Sequence, residues 1–134
     1  MAHPTKILSY RVVMPHIIII GLVAVVVIVV ILVVAKRAMR NARRAKLLAG
    51  AISDEWVAII ERSVPIYKKL PEALKVQLHG LVNLFLAEKM FEGCQGLEIT
   101  DEIRVTVAAQ ACVLLLNRES SYYPKLKTIY IYPN

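Results

Sequence analysis

The chain has 134 residues, 57% of them apolar, and a formal net charge of +7, which leaves room for one small domain and not two. The charge is unevenly placed: residues 1–46 carry eight Lys/Arg and no acidic residue, whereas residues 47–134 carry nine Lys/Arg against ten Asp/Glu. A domain that grips phosphate backbones concentrates cations on its own surface, so this partition excludes a nucleic-acid-binding domain.

In chain order, residues 1–16 form a short N-terminal segment with Lys6 and Arg11 as its cations. Ile17 to Ala35 follows, nineteen residues with no charged or hydrogen-bonding side chain and one glycine, Gly21. At about 1.5 Å per residue this run spans the roughly 30 Å hydrocarbon core of a bilayer, and it is read as a transmembrane helix. Val and Ile are mediocre helix formers in water, but in lipid each backbone group has to be bonded within the segment, and helix is what remains. A cleaved secretory signal has a shorter apolar stretch with its cations in front. Here Lys36, Arg37, Arg40, Arg43, Arg44 and Lys46 come after it. Six basic residues against two orient the chain with the N-terminus outside and residues 36–134 in the cytoplasm, the expected site being the cell inner membrane of a bacterium. The basic run either meets anionic lipid heads or serves only to stop transfer and set orientation.

Residues 36–49 are rich in Ala, Arg, Lys and Leu and continue the helix out of the membrane as a juxtamembrane linker, with Gly50 as its weak point. Ser53 and Asp54 offer an N-cap for a short helix carrying Trp56, Val57, Ile59 and Ile60, which Pro65 ends. Pro71 suits the first turn of the next helix. There the apolar residues Leu74, Leu78, Leu81, Val82, Phe85, Leu86 and Met90 make a single stripe, and Gly93 ends it. Thr100 caps a further helix over residues 101–117, with Asp101 and Glu102 favourably placed in its first turn. This helix is apolar nearly all round, which predicts burial on several sides. After a polar turn at residues 117–121, Thr128 to Tyr132 reads as a strand. The predicted fold is α+β: a separate transmembrane helix, then a small, mainly helical domain over residues 50–134 with one or two C-terminal strands. A strand without neighbours and an apolar helix predict that the isolated domain is marginal or self-associating.

Motifs that carry chemistry are scarce. The histidines are His3, His16 and His79, with no H-E-x-x-H or C-x-x-C spacing. His79 is read either as a half-exposed helix histidine or as a distant ligand. Gly93-Cys94-Gln95-Gly96 is read as a helix C-terminus and not as an anion cradle, and Glu98, Asp101 and Glu102 as helix-capping charges before acid–base groups. Cys94 and Cys112 are too few for a disulfide scaffold, and Cys112, in an apolar helix, is read as a buried thiol.

Several pieces follow one another in a recognisable order: Trp56; Pro65, Tyr67, Leu70 and Pro71; Phe85, Leu86, Lys89, Phe91 and Gly93; Gly96-Leu97-Glu98-Ile99-Thr100-Asp101-Glu102; Ala108-Ala109-Gln110-Ala111-Cys112 through Asn117; and Tyr123, Leu126, Thr128, Ile129, Tyr132 and Pro133. Over residues 50–134 the chain resembles the N-terminal part of the Mlc titration factor A family of bacterial zinc-dependent peptidases, with Trp56, Pro65, Tyr67, Gly96, Thr100, Asp101, Gln110, Asn117, Tyr132 and Pro133 as structural signature positions. The resemblance implies a single zinc held by a helix-borne H-E-x-x-H and a later glutamate, and a cytoplasmic transcriptional repressor as partner. No residue of this sequence matches a zinc ligand or the catalytic glutamate, so no catalytic or metal position is assigned. Two readings follow: a membrane-anchored zinc peptidase represented without its zinc-binding half and inactive as it stands, or a non-catalytic membrane-tethered module that binds a regulator.

Overall fold

The computed structural model describes residues 4–118 and 122–133, with side chains from residue 15 onward. His3 and most of the expected 117–121 turn lie outside the described residues, as do the side chains of Lys6 and Arg11. The chain divides into two compact units, residues 1–42 and residues 43–134.

The first unit consists of most of helix α1, Pro4–Leu48. It is helical from Pro4, well before the expected apolar start at Ile17, and runs through Pro15. The proline lacks an N–H, so the carbonyl four residues back loses its ladder partner there. The stretch Pro15–Leu48 reaches a mean hydropathy of 3.9 over an 18-residue window, none of it buried, and is long and apolar enough to cross a membrane.

The second unit takes its first residues from the end of α1, so the expected linker contributes its final turns to the folded body. Helix α2 (Asp54–Ser63) starts where expected: Ser53 is the N-cap, its hydroxyl accepting from the Trp56 N–H at 3.3 Å. A 3-10 turn at Pro65–Lys69 then leads to α3 (Glu72–Glu88). Pro71 stands one position earlier than the first turn, as the N-cap, its carbonyl accepting from Leu74 and Lys75. Helix α4 (Asp101–Val113) is capped by the Thr100 hydroxyl, which accepts from Ile103 N–H at 3.3 Å. It ends earlier than expected, residues 114–117 forming turns.

Two expectations need correction. The helix predicted to run to Met90 and end at Gly93 stops at Glu88, and Met90–Gly93 is instead strand β1. It pairs in parallel with β2 (Thr128–Ile131), Phe91 opposite Ile129 and Gly93 opposite Ile131, so the final strand has a neighbour. Parallel strands need a long crossover, and α4 supplies it. The Gly93–Gly96 segment is thus a strand end, not a helix C-terminus. With four α-helices and a two-stranded parallel sheet among the described residues, the fold is α+β, as expected.

The second correction concerns α3. Its stripe was read as one face, yet Gly80 and Leu84 are buried while Met90 is 62% exposed. One side, through Leu78, Leu81, Val82, Phe85 and Leu86, joins Ile59, Ile60, Val105, Ala108, Ala109 and Cys112 in the core. The other side, with Gly80 and Asn83, meets residues 47–51, and a Cβ at Gly80 would run into the Leu48 carbonyl. Helix α3 is the central element, covered on two sides.

Candidate functional site

Three polar clusters organise the folded unit. At the end of α1, helix geometry leaves the final carbonyls without intrahelical donors. Asn83 on α3 supplies one in trans: its side-chain amide donates to Gly50 O at 2.9 Å, and at longer range to Ala51 O (3.4 Å) and Leu47 O (3.5 Å). One turn earlier, the Arg44 guanidinium donates to both Glu88 oxygens, at 2.6 and 2.9 Å, and lies over the Tyr122 ring. This fork-to-carboxylate geometry is the stronger form of ion pair. It raises the already high Arg44 pKa, the hydrogen bond to Glu88 outweighing the opposing effect of burial.

The second cluster pins the approach to β2. Lys89 is buried, and its ammonium donates to the carbonyls of Tyr123 (2.7 Å) and Leu126 (2.8 Å). Burial holds its pKa below the usual lysine value. Tyr123, at φ 47°, in turn donates through its hydroxyl to the Ala111 carbonyl and meets Phe85 edge-on.

The third cluster joins α3 to the 3-10 turn. Tyr67, 3% exposed, places its hydroxyl 2.8 Å from His79 Nε2 and stacks on the imidazole, with Lys75 over the Tyr67 ring. Burial lowers the His79 pKa, with a smaller push in the same direction from Lys75 and an opposing one from Glu72. Burial likewise raises that of Tyr67, and Glu61 and Glu72 add to it. With the imidazole neutral and its proton on Nδ1, the hydroxyl donates to Nε2.

The signature positions read from the sequence do not converge on one cavity. Trp56 packs half-buried against the core, Pro65 opens the 3-10 turn, and Tyr67 bonds His79. Thr100 caps α4, where Asp101 lies 3.5 Å from Arg104. Gln110 is exposed on α4, and Tyr132 and Pro133 are exposed beyond β2. Gly96 and Asn117 have φ of 81° and 57°, the left-handed region that suits glycine and asparagine. Thr100 and Asp101 line an open groove of about 440 Å³ with Glu55, Arg62 and Glu102, in which Arg62 is already engaged, bonding Glu102 at 2.8 Å. A second groove of about 400 Å³ is lined by Lys89, Met90, Phe91, Ile99 and Arg104. Of the six basic residues after the apolar run, Lys36, Arg37, Arg40, Arg43 and Lys46 are exposed, and Arg44 is engaged with Glu88.

A zinc ion does not fit the donors present. Among the described residues no three His, Cys, Asp or Glu side chains come together to hold a metal. His79 is committed to Tyr67. Cys112 is buried in the core, where desolvation pushes its thiol up to about 12, and a thiol that keeps its proton is a poor ligand. Cys94 lies near Tyr132, whose hydroxyl it raises through a hydrogen bond.

Sequence reasoning missed the joint between α1 and α3 and the part played by Lys89. Asn83 and Gly80 inside a helix pattern are unfavourable locally, and that cost was the available signal. For Lys89 the signal was one cation immediately after an apolar helix.

Comparison with known proteins adds the remaining facts. No solved structure matches the chain. An uncharacterized protein of Synechocystis sp. is 38% identical over 92 residues, covering 69% of this chain and 34% of that protein. The aligned stretch thus spans about a third of that relative's length. The profile of the glucose-regulated metallo-peptidase M90 matches residues 37–134, so the resemblance read over residues 50–134 holds and begins earlier, inside α1. On that match the chain belongs to the glucose-regulated metallo-peptidase M90 family.

Proposed function

We propose that the chain is the membrane-anchored N-terminal part of a zinc-dependent M90 peptidase, in which α1 is the anchor and residues 43–134 form a scaffold without the zinc-binding half. The observation that carries this is the pairing of a family match over residues 37–134 with the lack, among the described residues, of three His, Cys, Asp or Glu side chains grouped to hold a metal. The relative's greater length supports it. On this reading the 134-residue chain binds no stoichiometric zinc and hydrolyses no peptide. The folded unit faces the cytoplasm, because six basic residues follow the apolar run and two precede it. Zinc analysis of the purified chain and a short-peptide hydrolysis assay test the chemistry; bound zinc together with turnover refutes it. Fractionation tests the anchor: the chain should stay with membranes in alkaline carbonate and leave them only in detergent. Release by carbonate alone counts against it.

A second reading is favoured by the folded unit's own core and by the internal partners at the end of α1 and the start of α4. As a tethered, non-catalytic module it would bind a cytoplasmic transcriptional repressor. Recovery of a DNA-binding repressor in stoichiometric amount from a detergent extract supports this reading, and recovery of none disfavours it. Self-association, the remaining expectation, is read by light scattering of the detergent-solubilised chain.

A further inference from the structure

Three cations sit at the end of the apolar stretch. Ile17 to Ala35 is followed without a spacer by Lys36 and Arg37, with Arg40 one turn beyond Lys36. From Lys36 to Arg40 a helix rises about 6 Å, so all three charges lie within a thin layer beyond the last apolar residue. Each is exposed. No Asp or Glu occurs anywhere in residues 1–46 to neutralise them. Arg44 provides the contrast, since its fork is filled by Glu88.

We propose that Lys36, Arg37 and Arg40 bind the phosphates of anionic phospholipid headgroups and select those lipids as the layer bordering α1. This deepens the reading of α1 as a membrane anchor and rests on it. Backbone donors in this stretch are spent in the helix, so recognition falls to the side chains. The Arg forks suit two phosphate oxygens, and the Lys ammonium is a mobile point charge. Lys36 and Arg40 share one side of the helix and Arg37 lies about 100° round, so headgroups are met from more than one direction. Clustered Lys and Arg directly beyond a membrane span are attracted by the negative potential of anionic lipid. Arg43 and Lys46 belong to the folded unit and are left out of the site.

The test is electron spin resonance of the full chain in phosphatidylcholine vesicles doped with spin-labelled phosphatidylglycerol or spin-labelled phosphatidylcholine. The motionally restricted fraction should be several-fold larger for phosphatidylglycerol. High salt and the K36Q/R37Q/R40Q variant should each bring it down to the phosphatidylcholine value, whereas R44Q should leave it unchanged. Millimolar inorganic phosphate at constant ionic strength should not displace the lipid; displacement would overturn the assignment to headgroups. Equal restricted fractions for both lipids in the unaltered chain would overturn the selectivity while leaving the anchor in place. No restricted component for either lipid would remove the anchor reading, and this proposal with it.

Discussion

Lys89 illustrates what a single buried charge does in this fold. Its two carbonyl partners, on Tyr123 and Leu126, lie in the loop that delivers β2 to β1. Lys89→Met keeps the length and loses the donors; we expect about 2 kcal/mol of destabilisation by denaturant titration, the size typical of hydrogen bonds from a charged group. His79 gives a pH signature. Its folded-state pKa lies below its ordinary 6.5, so the unfolded chain binds the proton more readily. Stability is therefore retained above pH 6.5 and falls as pH drops through 6.5 toward the folded-state value. His79→Phe should flatten that part of the pH–stability curve, and an unchanged slope would show that the titration lies elsewhere. The two thiols should separate cleanly: iodoacetamide at pH 8 should modify half-exposed Cys94 in the native chain and reach Cys112 only after unfolding, as peptide mapping would show.

At the scale of elements, the starts of α2 and α4 were legible and the ends of α3 and α4 were not. Ser53 and Thr100 are capping residues whose chemistry is local, and the structure uses both. The stop at Glu88 is not local: residues 90–93 form β1 because Thr128–Ile131, far along the chain, offers a ladder, and tertiary pairing overrides helical spacing. The second face of α3 was hidden for the same reason. Gly80 and Asn83 look like weak helix residues until the end of α1 is laid against them. Gly80→Ala should cost about 1–3 kcal/mol by overpacking against Leu48, although alanine is the better helix former. An increase in stability on thermal denaturation would mean that the contact is looser than described.

For the whole molecule, composition and charge partition located the apolar helix, while the family followed from the order of small motifs. What the sequence could not disclose is that the folded unit begins inside the first helix, at Arg43, instead of after the Gly50 break. That boundary depends on partners of Arg44 and Gly50 that lie more than thirty residues away. A truncated chain starting at Arg40 should therefore unfold as a cooperative unit, and one starting at Ser53 should melt several degrees lower. The second would lose the Glu88 ion pair, the role of Asn83 and the contact of Leu48 with Gly80 together. Equal melting temperatures would place the boundary back at residue 50.

The joint between α1 and α3 also sets an order of events during synthesis. Arg44 leaves the ribosome 44 residues before Glu88, and Gly50 leaves 33 before Asn83. At roughly 5–20 residues per second, the end of α1 waits on the order of seconds for its partners. Through that interval only its own Ala, Arg, Lys and Leu content favours the helix. An insertion that starts as the apolar stretch leaves the ribosome would thus begin before the folded unit can close on the end of α1.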